Sequence, residues 1–165
     1  MDIRLRAPEP ADIDFLYCLE NSDGAHACGF TTAPVSRQML WDYLHSYDGD
    51  IFAAKQLRLV IEADGQPVGT VDISDFDARD RRGFVGIIIA DAFQRKGYGR
   101  EALGMLCAYA STTLGMHQLV AAVAAENTAS RKLFASCGFK SCGRLRSWVR
   151  RGNSYEDALL FQRLF

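Results

Sequence analysis

The chain alternates between stretches in which apolar residues recur at every second position and stretches in which they recur at helical spacing. Seven alternating or continuous apolar runs predict β-strands, at residues 3–6, 57–63, 68–73, 84–89, 119–123, 139–149 and 155–161. Four amphipathic segments predict helices, at residues 10–20, 36–47, 98–114 and 127–137. The intervening residues 21–34 are rich in Gly, Thr, Ser and Asp and are predicted to form a loop.

Two local features indicate how the predicted strands pair. Asp64-Gly65 is a strong hairpin turn and predicts an antiparallel pair. The unbroken apolar run Phe84–Ile89 predicts a central strand that is buried on both faces. Because strands alternate with helices in the second half, at least one parallel pair is expected within a mostly antiparallel sheet. The predicted fold class is α/β (α+β), a mixed sheet of about seven strands with four helices.

The composition is typical of a globular protein and excludes several other classes. With 165 residues, 48% of them hydrophobic and 24% charged, the chain is expected to form a single domain over residues 1–165. A formal net charge of −1 gives no sign of a nucleic-acid partner. No apolar run reaches the roughly 20 residues of a membrane span, and the N-terminal sequence predicts no signal or transit peptide, so a cytoplasmic location is expected.

The five cysteines are scattered and form no C-x-x-C pair and no Cys/His zinc spacing. Neither a disulfide nor a metal site is therefore expected. Cys107 and Cys137 fall on the apolar faces of predicted helices, which favours buried, inert thiols.

A glycine-bearing turn, Gln94-Arg95-Lys96-Gly97-Tyr98-Gly99-Arg100, joins the strand predicted at 84–89 to the following helix. The first N–H groups of a helix lack intrahelical partners and the helix dipole places partial positive charge there, so such a turn can bind an anion. Glycines leave room for a diphosphate, and the three basic residues add full charges. The same glycines are also compatible with a tight turn beside a solvated basic patch. The dinucleotide fingerprint and the Walker loop are excluded because their glycine spacings are absent.

This turn and a second segment together resemble the GNAT acetyltransferases. That family carries Q/R-x-x-G-x-G/A after a β-strand, and Gln94–Gly99 is similar to the signature in full. Asn127–Phe139 is similar to the family's second motif, N-x-x-A/S-x-x-L-Y-x-x-x-G-F. The start IRLRAPEPADIDFLYCLEN and the ending GNSYEDALLF look most like the spermidine/diamine acetyltransferase branch and its ribosomal-protein acetyltransferase relatives.

The resemblance implies the GNAT fold, an acetyl-CoA-dependent N-acetyltransferase, and two parallel strands that splay apart at the cofactor site. The amides of Arg95–Arg100 would hold the pyrophosphate of CoA, and the backbone of Ile87–Ile89 would bind the pantetheine arm like an added strand. Asn127 is equally a good helix cap, and Lys132 equally a solvated charge. The residues that the resemblance assigns to acetyl-CoA are Ile87, Ile88, Ile89, Gln94, Arg95, Lys96, Gly97, Tyr98, Gly99, Arg100, Asn127, Ser130, Lys132 and Phe134.

In that family the amine attacks the thioester directly in a ternary complex, so the protein positions the reactants and polarises the carbonyl. Since an alkyl amine has a pKa near 10, about one molecule in a thousand is nucleophilic at neutral pH, and a base must take its proton. The family often supplies a glutamate on the central strand and a tyrosine on the last helix, but Phe84 and Phe134 take these places and neither transfers a proton. Three interpretations remain: unassisted departure of the thiolate, a replacement group, or a module that binds acetyl-CoA without catalysis.

Candidates for a replacement group are Tyr155, Asp72 and Asp75, each of which is also compatible with an ordinary edge or surface residue. The acceptor is expected to be a polyamine or diamine, a protein N-terminus, or another small amine. The loop Gly29–Pro34 is neutral where polyamine-acetylating relatives carry acidic residues, which Asp72, Asp75 and Asp77 partly offset. The resemblance also suggests a homodimer.

Overall fold

Seven strands form one mixed sheet in the part of the chain that the computed structural model describes, residues 2–23 and 33–165. Their order across the sheet is β1-β2-β3-β4-β5-β7-β6, and all neighbours are antiparallel except β4 and β5. The expected parallel pair and the fold class are thus confirmed. The strands are β1 (Ile3–Arg6), β2 (Leu57–Ala63), β3 (Gln66–Asp77), β4 (Arg82–Ile89), β5 (Gln118–Ala124), β6 (Lys140–Arg151) and β7 (Ser154–Leu164).

Five α-helices lie within the same residues, one more than the sequence predicts. The additional helix is a single turn in which the Asp50 side chain accepts a hydrogen bond from the Phe52 amide at 2.9 Å. Four residues show no periodicity, so the hydrophobic pattern cannot reveal it. Most of the loop predicted at 21–34 lies outside the described residues. The helices are α1 (Ile13–Glu20), α2 (Arg37–Ser46), α3 (Ile51–Ala54), α4 (Tyr98–Thr112) and α5 (Thr128–Ser136), with 3-10 turns at Pro10–Asp12 and Asp91–Phe93.

The hairpin between β2 and β3 forms at the predicted turn. Asp64 and Gly65 have φ of 49° and 79°, the positive values that a two-residue turn of the primed type requires. The next connection is shorter than expected, because β3 continues to Asp77 and β4 begins at Arg82. Half of the polar stretch at 75–82 is therefore strand, and residues 78–81 form the turn.

β4 is not buried on both faces, which corrects the prediction made from its apolar run. Only Gly83 and Val85 are buried within this strand, Phe84 is 43% exposed, and the three isoleucines at 87–89 are half-buried. These isoleucines line a groove, described below. A strand that lines a groove can thus have the same apolar composition as a strand that is buried in the core.

Both faces of the sheet are covered at β2. Val60 and Ile61 are consecutive in β2 and therefore point to opposite faces, yet both are fully buried. Ile61 packs in the same cluster as Leu103 and Leu106 of α4. Cys107 and Cys137 are buried, as predicted. None of the helices in the described residues is long and apolar enough to cross a membrane.

Candidate functional site

The two parallel strands β4 and β5 separate along their length. They pair only at Arg82↔Gln118, Gly83↔Leu119 and Phe84↔Val120. Beyond this point β4 still pairs with β3 as far as Ile89↔Gly69, and β5 still pairs with β7 as far as Ala124↔Ala158. The inner edges of both strands therefore face a gap that opens toward the N-terminus of α4.

The predicted anion-binding turn lies at the end of this gap. Arg95 and Gly97 have φ of 59° and 91°, and Gly97 is the N-cap of α4. Within the described residues, the backbone amides of residues 95–99 donate to no protein acceptor. Successive unpaired amides in a turn of this kind form a concave cradle for an anion, and the helix dipole adds to its positive potential.

The amide of Arg100 differs from those that precede it. It donates to the carbonyl oxygen of Gly97 at 3.1 Å, closing the first turn of α4. The cradle of free amides consequently spans residues 95–99 rather than 95–100. Arg100 lines the groove, where its guanidinium can contribute charge instead.

A groove of about 590 Å³ occupies the gap, and we call it the splay groove. Three of its lining residues are basic, Arg95, Arg100 and Lys132, and one is acidic, Asp91. Arg95 belongs to the turn of free amides and Arg100 follows it directly, so the groove suits a ligand with phosphate charges at this end. Its described lining consists of Ser22, Ile87, Ile88, Ile89, Asp91, Phe93, Gln94, Arg95, Gly97, Tyr98, Gly99, Arg100, Asn127, Ala129, Ser130, Lys132, Leu133 and Ser136.

Hydrogen bonds from the Gln94 side chain hold the turn against the end of β4. Its Nε2 donates to the carbonyl oxygen of Ile89 at 3.0 Å and to Oδ1 of Asp91 at 2.9 Å. Both donor hydrogens of this amide are therefore used within the protein. The structure gives this residue, which begins the signature, a positioning role on the groove wall.

Asn127 both caps a helix and lines the splay groove. Its side-chain oxygen accepts a hydrogen bond from the Ser130 amide at 3.0 Å, so the cap expected from the sequence is present. The beginning of α5 faces the groove through Asn127, Ala129 and Ser130. The capping interaction and the predicted ligand contact are thus compatible at this residue.

Two of the predicted cofactor residues are not brought to the groove. Lys96 does not line it, and its Nζ lies 5.3 Å from the ring centroid of Phe93. Phe134 is only 4% exposed and packs edge-on against Phe139, while its neighbour Leu133 forms the groove wall. The remaining predicted cofactor residues all line the groove.

A second cavity, of about 340 Å³, adjoins the splay groove, and we call it the side pocket. Gly86 lines the side pocket, and the next residue, Ile87, lines the splay groove. Near the end of α1, Glu20 likewise lines the side pocket and Ser22 lines the splay groove. The described lining of the side pocket is Glu20, Val35, Met39, Leu40, Tyr43, Gln56, Leu57, Arg58, Asp72, Ile73, Ser74 and Gly86.

A partly buried ion-pair network forms the polar part of the side pocket. Arg58 donates from Nη1 to Oε1 of Glu20 at 2.9 Å and from Nε to Oδ1 of Asp72 at 2.7 Å. Its backbone amide donates to the hydroxyl of Tyr47 at 3.2 Å. Two carboxylates and one guanidinium leave the network with a formal charge of −1, which suits a cationic ligand.

The titration of these groups follows from their burial. Burial raises the pKa of Asp72, although the adjacent Arg58 guanidinium opposes this effect. Burial likewise raises the pKa of Tyr43 to about 12, so its hydroxyl stays protonated at neutral pH. The sequence identifies Asp72 as a candidate but gives no indication of Arg58 or Glu20.

The other candidates for a replacement group lie elsewhere. Asp75 is exposed, and Tyr155 is 61% exposed in the hairpin between β6 and β7. Neither residue lines the splay groove or the side pocket. Asp72 is therefore the one sequence candidate of the three that the structure places in a cavity beside the groove.

Splayed parallel strands and a cradle of free amides form a groove that suits the phosphate groups of a coenzyme, as in a transferase of activated groups, and a pocket of net negative charge adjoins this groove. Residues 2–140 match the family described as Acetyltransferase (GNAT) domain. The chain belongs to this family. It is an acetyl-CoA-dependent N-acetyltransferase, and the residues of the splay groove fit the charge of the cosubstrate acetyl-CoA.

Curated and structural relatives cover almost the whole chain. The spermidine N(1)-acetyltransferase of Escherichia coli K12 is 26% identical over 157 residues, 95% of this chain and 83% of the relative. The structure of spermidine N-acetyltransferase from Vibrio cholerae with CoA and spermine has 28% identity and a TM-score of 0.87, covering 98% of this chain and 95% of that chain. A dodecameric structure of the Vibrio cholerae enzyme has 26% identity and a TM-score of 0.77, covering 98% and 93%.

Proposed function

We propose that this acetyltransferase transfers the acetyl group of acetyl-CoA to a primary amine by direct attack in a ternary complex, and that its acceptor is a polyamine. The observation that carries the proposal is the junction of the two cavities at Gly86 and Ile87. Because the cavities open beside each other on one strand, a coenzyme and an amine can be bound at the same time. A ternary complex needs this arrangement.

The coenzyme's binding follows from the groove. Its diphosphate lies on the free amides of residues 95–99, with Arg95, Arg100 and Lys132 supplying counter-charge. Its extended arm lies along the inner edge of β4, where the amides and carbonyls beyond Phe84 have no partner strand in β5. Acetyl-CoA would supply an activated thioester, and the contact of the two cavities at Gly86 and Ile87 supports its position beside the side pocket.

The acceptor's binding follows from charge. A primary amine is protonated at neutral pH and is attracted to the net negative network of Glu20, Arg58 and Asp72. A polyamine is supported by the named substrates of the relatives, which are spermidine acetyltransferases at 26% identity or more over most of the chain. The loop at 29–34, which the sequence shows to be neutral, lies largely outside the described residues.

Initial-rate kinetics test both parts of the proposal. Release of CoA thiol is measured over a matrix of acetyl-CoA and spermidine concentrations, and acetylated product is verified by mass spectrometry. Intersecting double-reciprocal lines are expected, whereas parallel lines would indicate an acetyl-enzyme and contradict direct attack. A peptide N-terminus as the preferred acceptor would contradict the polyamine. Binding of acetyl-CoA without thiol release on any amine would identify a non-catalytic module.

We further propose that residues 1–165 form one domain and that the protein assembles into a multimer. The continuous sheet from β1 to β6 supports one domain in the described residues. The dodecameric Vibrio cholerae relative supports a multimer. Sedimentation or light scattering tests the second proposal, and a monomer at micromolar concentration would contradict it.

A further inference from the structure

Asp72 and Gly86 are cross-strand partners at the junction of the two cavities. They face each other in the β3–β4 pairing, in which Arg58 is the partner of Asp72 on the other side. Cross-strand partners project to the same face of a sheet. Since Gly86 has no side chain, the surface above β4 beside Asp72 is left open, and the side pocket occupies it.

Phe84 and Asp72 lie on this same face. Phe84 precedes Gly86 by two residues and is the partner of Ser74, which itself lines the side pocket. The phenylalanine cannot accept a proton, so the carboxylate beside the reacting amine has to come from another position. Asp72 lies on the neighbouring strand β3 and on the same face, so it can supply this carboxylate with the backbone as it stands.

Building on the proposed transfer to an amine, we propose that Asp72 is the catalytic base that removes the proton from the acceptor ammonium. The carboxylate acts through the oxygen that Arg58 leaves free: Oδ1 accepts from Nε of Arg58, whereas Oδ2 accepts no hydrogen bond within the described residues. The side chain is 22% exposed and lines the side pocket, in which the amine would bind.

Arg58 and Glu20 act as positioning residues for this carboxylate. Arg58 is held from α1 by Glu20, which is only 5% exposed, and in turn fixes the rotamer of Asp72. The charged and titratable groups that face Asp72 are thus Glu20 from α1, Arg58 from β2, and Tyr43 and Tyr47 from α2. β4 contributes none, since its facing residues are Phe84 and Gly86.

Burial and the Arg58 guanidinium act in opposite directions on the pKa of Asp72. Burial raises the pKa of Asp72 above that of an exposed carboxylate, which increases its affinity for a proton. The adjacent Arg58 guanidinium opposes this effect, since it favours the charged carboxylate. A base is most effective when its pKa approaches the working pH.

The proton and electron movements balance. Asp72 takes one proton from the ammonium, and the freed nitrogen lone pair forms the C–N bond to the acetyl carbon. The C–S bond of the thioester breaks, and its electron pair leaves with sulfur. The second proton of the nitrogen goes to this thiolate, giving CoA thiol, and Asp72 returns its proton to water.

Asp72→Asn tests the proposal, with Asp75→Asn as the matched control on the same strand. At pH 7 the Asp72 variant is expected to lose about 10²- to 10⁴-fold in kcat, the usual contribution of a general base, while the KM for acetyl-CoA stays unchanged. As the pH rises, the loss of kcat relative to wild type should become about tenfold smaller per pH unit, up to the pKa of the amine near 10. The reason is that a growing share of the acceptor is then deprotonated by solvent. Asp75→Asn should behave as wild type.

A merely structural role predicts different results. Loss of activity in Asp72→Asn that is constant with pH, or a rise in acceptor KM with normal kcat, would overturn the proposal. Asp72→Glu is the control for misfolding, since it keeps a carboxylate at this position. It should retain the pH profile of the wild type at a lower rate. A pH profile like that of the Asn variant would also overturn the proposal. If wild type turns over no amine, the proposed function fails instead.

Discussion

Gly99 and Leu133 face each other across the wall of the splay groove. A Cβ added to Gly99 would lie 3.5 Å from Cδ2 of Leu133 and 3.6 Å from Cγ1 of Ile89, which are ordinary van der Waals distances. Gly99 does not have a positive φ, unlike Gly97. A side chain at residue 99 is therefore tolerated by the fold, and what it would disturb is the space and the charge beside the free amides.

Gly99→Asp is expected to weaken CoA binding by at least tenfold, about 1.4 kcal/mol, because its carboxylate would lie beside the coenzyme's diphosphate. The fold should be retained, since an acidic residue in the first turn of a helix interacts favourably with the helix dipole. Titration calorimetry with CoA measures the affinity, and added salt should narrow the deficit by screening.

Gly99→Ala is the control for this charge effect, since it adds only the Cβ. It should bind CoA within about threefold of wild type. Equal weakening by Ala and Asp would mean that space rather than charge limits binding. Unchanged affinity in the Asp variant would place the diphosphate away from the turn.

The sequence predicted most of the sheet and most of the residues that line the splay groove, because both depend on local patterns. The turn at 94–99 and the cap at Asn127 are determined by residues close together in the chain, and the structure has both. Local patterns do not predict the position of the Phe134 side chain. The family resemblance assigns Phe134 to the cofactor, but the rotation of the helix turns Phe134 to the core and its neighbour Leu133 to the groove.

The acceptor side depends on register, which the sequence does not reveal. Counting back from the turn pair Ala63↔Gln66 without interruption would pair Arg58 with Val71. A bulge between Ile61 and Glu62 shifts the register by one residue, so Arg58 is the partner of Asp72. Since a shift of one residue moves every side chain to the other face, the ion-pair network could not be predicted without knowledge of the bulge.

Arg58→Met is expected to change the preferred acceptor. Removing the guanidinium leaves Glu20 and Asp72 with a formal charge of −2 in the side pocket. The ratio of kcat/KM for 1,4-diaminobutane to that for butylamine should rise about tenfold over wild type, because a second ammonium can replace the guanidinium. Arg37→Met, which removes an exposed partner of Asp14, is the control and should leave the ratio unchanged. An unaltered ratio in Arg58→Met would mean that the acceptor does not enter this pocket.

A glutamate at residue 84 should restore activity to the Asp72→Asn variant. Phe84 is 43% exposed and lies on the same face as Asp72, so a carboxylate there can reach the same pocket at little cost to the fold. The double variant Asp72→Asn/Phe84→Glu is expected to recover at least tenfold in kcat at pH 7 over Asp72→Asn alone. Asp72→Asn/Phe84→Gln supplies the same shape without a base and should recover nothing. Equal recovery in both double variants would show that bulk rather than proton transfer limits the rate.

Asp12 stabilises the fold through a buried interaction far from the two cavities, and its effect should depend on pH. It is 3% exposed; Oδ2 accepts from Nη1 of Arg6 at 2.7 Å and from the Glu9 amide at 2.8 Å, and Oδ1 accepts from Nη2 of Arg6 at 2.8 Å. Burial raises the pKa of Asp12, but the bonds from Arg6 and the Glu9 amide outweigh it and hold the pKa below its usual value.

A carboxylate with a lowered pKa contributes stability that is present above its unfolded pKa near 3.9 and is lost as the pH falls through its folded pKa. Asp12→Asn should therefore lower the free energy of unfolding by about 2 to 4 kcal/mol at pH 7, since it breaks a largely buried charge pair. The difference from wild type should shrink below about pH 4, where the carboxylate of the unfolded wild-type chain begins to take up a proton while the folded one is still charged. Urea unfolding at pH 7, 5 and 3.5 measures it, with the exposed Asp14→Asn as a control expected to match wild type at each pH. A deficit that stays constant from pH 7 to 3.5 would mean that shape rather than charge makes Asp12 stabilising.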